Sequence, residues 1–295
     1  MNVNIIIPTY NRKEYLFKTL QSLNNQTYKN FEVIIIDDAS DIDIRKEINE
    51  LNLLYKYNYI HLNKKKGRAG ARNTGISISK GNILLFFDDH SLAMPNLIEK
   101  HVKKHLQFEN YGALRGRIEF IKDLEFSVKY KPPRFWSNLH HIIYANSPIV
   151  HFGTHNLSVK KEVVDKVGGF DENFTLYGAE DQEFGIRIKK AGYKIGYISQ
   201  ALAYNIIISK TNEELLQRAI ESGKMAALLA KKHPEYKKVL GINIINKILY
   251  QNKKNYKLYK KFIDTKSKIN IDDEFINSKL LKVLYYYSFL ENIIN

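Results

Sequence analysis

The sequence predicts an α/β protein with a mainly parallel central sheet, helices on both faces, and a helical C-terminal appendage. Three observations predict it. Short apolar runs alternate with helical spacings over residues 1–200. Two of those runs end abruptly in paired carboxylates, Asp37-Asp38 and Asp88-Asp89, and open α/β sheets bind ligands at the carboxyl ends of their strands. Past residue 208 glycine becomes scarce and Lys, Tyr, Leu and Ile dominate.

Each element has a local reason. Residues 3–7 are an apolar run that reads as a buried strand stopped by Pro8. Residues 14–23 place Tyr15, Leu16, Leu20 and Leu23 at helical spacing. Residues 31–36 read as a second strand, 42–54 as a helix and 59–62 as a third strand. Residues 69–79 form a helix entered through a basic, glycine-containing loop, and 83–87 a fourth strand. Pro95 opens a helix to residue 105, since proline suits a first turn. Residues 113–120 read as a strand, while 123–148, aromatic and proline-containing, suit a site loop. Residues 149–159 read as extended and 161–167 as a helix closed by Gly168-Gly169. A helix over 180–191 ends at Gly192, and 193–198 returns as a strand. Further helices are expected at 212–232, 242–250, 256–263 and 273–290, with Pro234 starting an element of its own. The expected division is a domain over 1–209 and a helical extension over 210–295. No internal repeat is present.

With 295 residues, 44% of them hydrophobic, the chain can bury a sizeable core. There is no cysteine, which excludes disulfides and thiolate metal sites. Met1-Asn2-Val3-Asn4 has neither a basic n-region nor an apolar h-region, so no signal peptide is expected. The apolar runs are far shorter than the ~18 residues of a spanning helix. A cytoplasmic location is expected, peripheral at the inner face of the membrane if the C-terminal helices bind it. The formal net charge of +15 suits an anionic partner, or reflects a composition rich in Lys, Asn and Ile.

The most informative stretch is Phe86-Phe87-Asp88-Asp89-His90, where an apolar strand ends in two carboxylates and an imidazole. Such groups repel and desolvate one another unless a positive charge sits among them. Mixed oxygen and imidazole donors suit manganese better than calcium. Taken alone, the same residues read more simply as a polar turn. Pro8-Thr9-Tyr10-Asn11-Arg12 follows the first strand and can clasp a base or ribose, or serve as a plain strand-to-helix turn. Asp37-Asp38-Ala39-Ser40 follows the second. A carboxylate there can accept from a uracil N–H or a ribose hydroxyl, while Ser40 or Asp41 can cap the next helix. The run from Lys64 to Asn73 is a basic, glycine-spaced helix entry suited to an anion, or a solvated charge run. It contains neither a Walker A pattern nor GxGxxG.

Together these motifs resemble the family 2 glycosyltransferases, enzymes of the GT-A fold that use nucleotide-sugar donors. The resemblance rests on Pro8 to Arg12, residues 33–38, Gly70-Ala71-Arg72-Asn73-Thr74-Gly75, residues 87–90 and Pro95, in that order. It is strengthened by Gly168-Gly169-Phe170-Asp171-Glu172 followed by Tyr177-Gly178-Ala179-Glu180-Asp181. It covers roughly residues 1–200 and implies a GT-A type nucleotide-sugar-binding domain. By this resemblance Pro8, Thr9, Asn11 and Asp38 belong to the uridine site, and Arg68 and Arg72 face the diphosphate. Asp88 and His90 hold Mn2+ or Mg2+, and Asp89 approaches the ribose or the metal. Asp181 matches the catalytic base, with Glu180 beside it, in a single inverting displacement. The implied donor is a UDP-sugar and the acceptor a hydroxyl on a glycan, a lipid-linked sugar or a protein. Trp136, in the aromatic loop, suits stacking on an acceptor sugar, or ordinary surface packing.

There are departures. The metal motif is Asp-x-His, a form that resembles the polypeptide N-acetylgalactosaminyltransferases. Many family members supply a further His near Tyr204-Asn205, where this chain has Asn205; His151 and His155 are the possible substitutes. These changes favour a second reading, a degenerate relative that holds a nucleotide or glycan without turnover; the retained Asp181 favours the enzyme. Nucleic acid is not an expected partner, because no recognisable module is present and strand-end carboxylates repel phosphate unless metal-bound. The Lys-rich C-terminal helices suit peripheral contact with an anionic membrane surface, or self-association.

Overall fold

A computed structural model describes residues 1–122, 153–240, 251–264 and 278–294. The chain divides into two compact units, Met1–Glu172 with Asp181–Ile208, and Asn173–Glu180 with Ser209–Asn295.

The first unit holds one eight-stranded sheet. Its strands are β1 (Val3–Thr9), β2 (Phe31–Asp37), β3 (Lys56–His61), β4 (Ile83–Phe87), β5 (Ser91–Ala93), β6 (Tyr111–Ile121), β7 (Asn156–Lys160) and β8 (Lys194–Ile206). They lie in the order β3-β2-β1-β4-β7-β6-β8-β5. β1 to β4 are mutually parallel, β8 is parallel to β6, and β7 runs antiparallel between β4 and β6. With β5 antiparallel to β8, two of the eight strands oppose the common direction, so the sheet is mainly parallel.

Helices α1 (Lys13–Leu23), α2 (Arg45–Glu50), α3 (Gly67–Ile78), α4 (Leu97–Gln107), α5 (Lys161–Val167) and α6 (Glu180–Lys190) flank the sheet. One face buries Ile5, Ile7, Val33 and Ile35 against Leu16 and Leu20 of α1 and Leu97 and Val102 of α4. The other packs Ile34 and Ile36 against Ala71 of α3. Burial on both faces is why the central strands are continuously apolar rather than alternating. α3 approaches β1 so closely that a Cβ on Gly75 would lie 2.5 Å from Ile6 Cγ2.

Several expectations are corrected. β1 continues through Pro8 to Thr9; its ladder with β4 has already ended at Ile6, so on that side the missing proline N–H breaks no bond. Residues 42–54 yield only α2, because Ile42 and Leu54 are each 69% exposed and Ile44 and Ile48, one turn apart, carry the packing. β5 was not foreseen, being three residues long. β8 runs well past residue 198 because it pairs with both β6 and β5. The expected helix over 242–250, Trp136, His151 and the aromatic loop lie outside the described residues.

The second unit contains α7 (Asn212–Lys232), a 3-10 turn (Pro234–Tyr236), α8 (Lys237–Leu240), α9 (Lys253–Asp264) and α10 (Ser278–Ile294). α7 starts with a capping box: Glu214 N donates to Thr211 Oγ1 at 3.2 Å and Thr211 N to Glu214 Oε2 at 2.8 Å. Leu216 and Ile220 of α7 pack with Val283, Leu284 and Tyr287 of α10. Gly223 is required at their crossing, where a Cβ would lie 2.4 Å from Tyr285 O. Among the described residues, no helix is long and apolar enough to cross a membrane.

A buried polar group behind the sheet sets an acid limit on stability. Ser158 Oγ of β7 lies 2.7 Å from His101 Nδ1 and 2.8 Å from His105 Nε2, both of α4, and Asn156 Oδ1 lies 2.9 Å from His101 Nε2. Burial holds His101 down to about 4 and His105 to about 3, the latter aided by His101 and Lys160. Below the ordinary histidine value of about 6.5 the unfolded chain therefore binds protons that the folded chain refuses. Stability should fall with pH through that window, by up to about 2.7 kcal/mol per pH unit for two rings. Urea midpoints measured at about pH 7 and about pH 5.5 check this; equal midpoints would contradict it.

Candidate active site

β4 is apolar throughout and ends in a hydrogen-bonded turn, Ser91 N donating to Asp88 O at 3.2 Å. The side chains in that turn have different surroundings. Asp89 is 3% exposed. Its Oδ2 accepts from Thr9 Oγ1 at 2.9 Å, and its Oδ1 from Arg12 Nη1 at 3.2 Å. His90 Nδ1 lies 3.1 Å from the same Oδ1, and Thr19 Oγ1 of α1 donates to the Asp89 carbonyl at 3.0 Å. Asp88 keeps 24% of its side chain exposed, with Arg72 Nη2 3.9 Å from its Oδ1.

The antiparallel ladder between β4 and β7 ends at Phe87 opposite Asn156, and Asp88 and His155, each the next residue beyond its strand, interact electrostatically. Burial pushes the His155 ring well below the usual histidine range; Asp88 opposes that shift, while Arg115, His90 and Arg72 add to it. Among the described residues, His155 thus comes near Asp88 and His90. Asn205 is buried, and its Oδ1 accepts from Ser91 Oγ at 2.7 Å. Ser91 pairs with Asn205 across β5 and β8, so the Asn205 side chain is engaged by Ser91.

The donor set fits a divalent cation chemically. Asp88 offers a partly exposed carboxylate, and His90, engaged at Nδ1, has Nε2 left over: a mixed oxygen and nitrogen pair. Among the described residues no three His, Asp or Glu side chains converge to hold an ion.

The two carboxylates after β2 separate cleanly. Asp37 is fully buried and accepts from Ser40 N at 3.0 Å and Tyr59 OH at 2.7 Å, with His61 Nδ1 3.0 Å away. Asp38 instead receives Lys66 N at 2.6 Å and Gly67 N at 2.9 Å, closing the entry to α3. Burial pushes the Asp38 carboxyl up, opposed by those two N–H groups and Lys65. Asn11 joins the β1 and β2 loops: its N donates to Ser40 Oγ at 2.8 Å and its Nδ2 to Asp41 Oδ2 at 3.0 Å. Pro8 lies within β1 beside these groups. Arg68 is exposed in the first turn of α3, and Arg72, one turn on, is buried with its guanidinium 5.3 Å from the Phe170 ring centre. Asn11, Ala39 and Ala179 have positive φ of 51°, 60° and 72° without being glycine, and all three fall within the sequence motifs. Such strain concentrates where backbone geometry is constrained by function.

The Gly-Gly-Phe stretch acts as a clamp. Phe170 N donates to Asn73 Oδ1 at 2.7 Å, and Asn73 Nδ2 donates to Phe170 O and Glu172 Oε1, both at 2.8 Å. Arg187 of α6 donates to Gly169 O at 2.6 Å and through Nε to both Glu183 oxygens at 2.9 Å. The Phe170 ring lies 5.1 Å from Phe86 of β4 and 4.6 Å from Phe184 of α6. This clamp fixes α6, whose first turn carries Asp181, relative to the strand that carries Asp88. Asp181 is partly buried and its Oδ1 accepts from Gln182 N at 2.8 Å; Glu180 is buried. Sequence reasoning did not assign Arg12, Asn73, Arg115 or Arg187; Arg12 and Asn73 stood inside quoted motifs, while Arg115 and Arg187 gave no local signal.

The sequence profile described as glycosyl transferase family 2 matches residues 4–168, and that described as the N-terminal domain of galactosyltransferase matches residues 140–210. The chain belongs to the family 2 glycosyltransferases. An uncharacterized glycosyltransferase, YfnE, of Bacillus subtilis is 29% identical over 240 residues, covering 65% of this chain and 61% of that protein. Chondroitin synthase of Escherichia coli is 27% identical over 241 residues, covering 69% of this chain and 34% of the synthase. The chain thus spans less than two thirds of the length of either relative. Among solved structures, the mannosyltransferase PcManGT of Pyrobaculum calidifontis, in complex with GDP-Man and Mn2+, superposes with a TM-score of 0.66 at 17% identity. That match covers 99% of this chain and 87% of the mannosyltransferase. The likeness shows the fold, which is of the GT-A type.

The clamp can be tested on stability alone. Asn73→Ala leaves the Phe170 N–H without its acceptor, a loss worth about 1–3 kcal/mol in a buried setting. A urea midpoint unchanged in Asn73→Ala would show that the clamp is not holding the loop.

Proposed function

We propose that the chain is a metal-dependent inverting glycosyltransferase that moves a sugar from a UDP-sugar to a hydroxyl on a glycan, a lipid-linked sugar or a protein. The observation that carries this reading is the Asp88-Asp89-His90 turn at the carboxyl end of β4, with Arg72 beside it. Family membership and a GT-A neighbour solved with GDP-Man and Mn2+ support it.

In this reading Asp88 and His90 hold Mn2+ or Mg2+. A cation bound there would neutralise the charge that develops on the leaving diphosphate. Arg72, and Arg68 one turn before it at the start of α3, add positive charge on the diphosphate side. Asp38, Asn11 and Pro8 form the nucleoside side, at the ends of β1 and β2. Asp181 accepts the proton of the acceptor hydroxyl as its oxygen attacks the sugar carbon from the face opposite the diphosphate. Such general-base assistance contributes about 10²–10⁴-fold. The exposed Lys253, Lys254, Lys257 and Lys261 of α9 support contact with an anionic surface as part of the same reading.

UDP with Mn2+ should raise thermal stability more than UDP or Mn2+ alone and more than GDP with Mn2+. A ligand at about 100 times its Kd adds roughly 2.7 kcal/mol. Equal shifts for UDP with and without Mn2+ count against a metal-bridged donor. Asp181→Asn should bind UDP with Mn2+ as the parent does, yet lose at least about a hundredfold in turnover. A parent chain that binds the pair but shows no turnover would instead favour the non-catalytic reading.

A further inference from the structure

We propose that Asp89 is a positioning residue: its carboxylate fixes the proton of His90 on Nδ1 and so presents Nε2 as the nitrogen that meets the cation. This rests on the reading of His90 as a metal ligand. It gives the middle carboxylate of the motif a task different from touching the ribose or the metal.

The Asp89 carboxylate is almost wholly buried, and the Arg12 guanidinium lies 3.2 Å from Oδ1. The guanidinium has only donors to offer, so the carboxylate is the acceptor in that contact. Every neighbour must then donate. Thr9 Oγ1 donates to Oδ2 at 2.9 Å, Arg12 donates to Oδ1, and His90 Nδ1, 3.1 Å from Oδ1, must also carry a hydrogen. A neutral imidazole with its proton on Nδ1 has its ring lone pair on Nε2. The hydrogen bond therefore decides which nitrogen can bind a metal.

The same contacts decide where the ring points. Asp89 is held by Thr9 at the end of β1 and by Thr19 of α1, which donates to its carbonyl at 3.0 Å. The carboxylate is thus held from β1 and the backbone behind it from α1, and the imidazole is anchored to the carboxylate. A metal-binding histidine backed in this way keeps its tautomer and orientation before the ion arrives. Arg12 completes the device by matching the buried negative charge, since an unpaired buried carboxylate would be strongly destabilising. With Oδ2 engaged by Thr9 and Oδ1 shared by Arg12 and His90, Asp89 acts through the imidazole.

The test reads the tautomer in the metal-free protein. Long-range proton–nitrogen correlation spectra of isotope-labelled protein, at about pH 8 where an ordinary histidine is neutral, distinguish Nδ1–H from Nε2–H. Loss of one set of signals in His90→Gln assigns them. The expected result is a His90 with Nδ1 protonated and Nε2 bare. In Asp89→Ala the His90 signals should shift toward the other tautomer. Mn2+ affinity measured with saturating UDP should fall about 10–100-fold, the usual effect of losing a residue that backs a metal ligand. UDP affinity without Mn2+ should hold.

If Asp89→Ala does not fold, the parent spectrum decides alone. A parent His90 protonated on Nε2 overturns the proposal, as does an Asp89→Ala variant with parent tautomer and parent Mn2+ affinity. His90→Gln with parent Mn2+ affinity would overturn the metal-ligand reading, and the proposal with it, even if the tautomer is as expected.

Discussion

A buried, compensated carboxylate organises the turn that follows β4. Asp89 sits where β4 ends, out of water, and burying a charge is tolerable only when it is paired and fully hydrogen-bonded. That requirement draws Thr9 and Arg12 from the β1 loop, Thr19 from α1 and the His90 ring onto one residue. Asp37 meets the same requirement at the end of β2 with Ser40, Tyr59 and His61. Asp37 and Asp89 are engaged by side chains of the protein; Asp38, also buried, is held by the backbone N–H groups of Lys66 and Gly67, and Asp88, which keeps part of its side chain exposed, lies beside Arg72.

The helix that carries Asp181 is placed by apolar packing. Phe86, two residues before Asp88, meets Phe170 and Phe184 in edge-to-face contacts. Such contacts add a directional preference to ordinary burial. Asn73 and Arg187 then fix the backbone that carries Phe170. Because Phe184 lies in the same helix as Asp181, the distance between the proposed base and the proposed metal ligands is set by a rigid cluster rather than by a loop.

How much of this was legible in the sequence follows from what each signal depends on. The strand Ile83–Phe87 and the helices Lys161–Val167 and Asn212–Lys232 fall where periodicity and Gly or Pro punctuation place them, because those signals are local. The helix expected over 42–54 is shorter because Ile42 and Leu54, at the ends of that span, remain exposed. β5 is too short for any pattern and exists through its pairing with β8. At the site, Asp88, His90 and Arg72 were legible as residue types suited to a cation and a diphosphate. What could not be read was that Asp89 is buried while Asp88 stays partly exposed, because that is decided by partners as far away in sequence as Thr9 is from Asp89. Nor could the sequence reveal that Asn205 points toward Ser91, or that His155 comes near Asp88, since both follow from strand register.

The central claim is that Asp88 and His90 hold a divalent ion shared with the donor diphosphate. Pulsed electron paramagnetic resonance of Mn2+ bound with UDP tests it most directly, because it reports which nuclei touch the ion. The account predicts phosphorus couplings from the diphosphate together with a nitrogen coupling from one directly bound imidazole, the latter abolished by His90→Gln. Phosphorus couplings without a nitrogen coupling, or a nitrogen coupling that survives in His90→Gln, would contradict it.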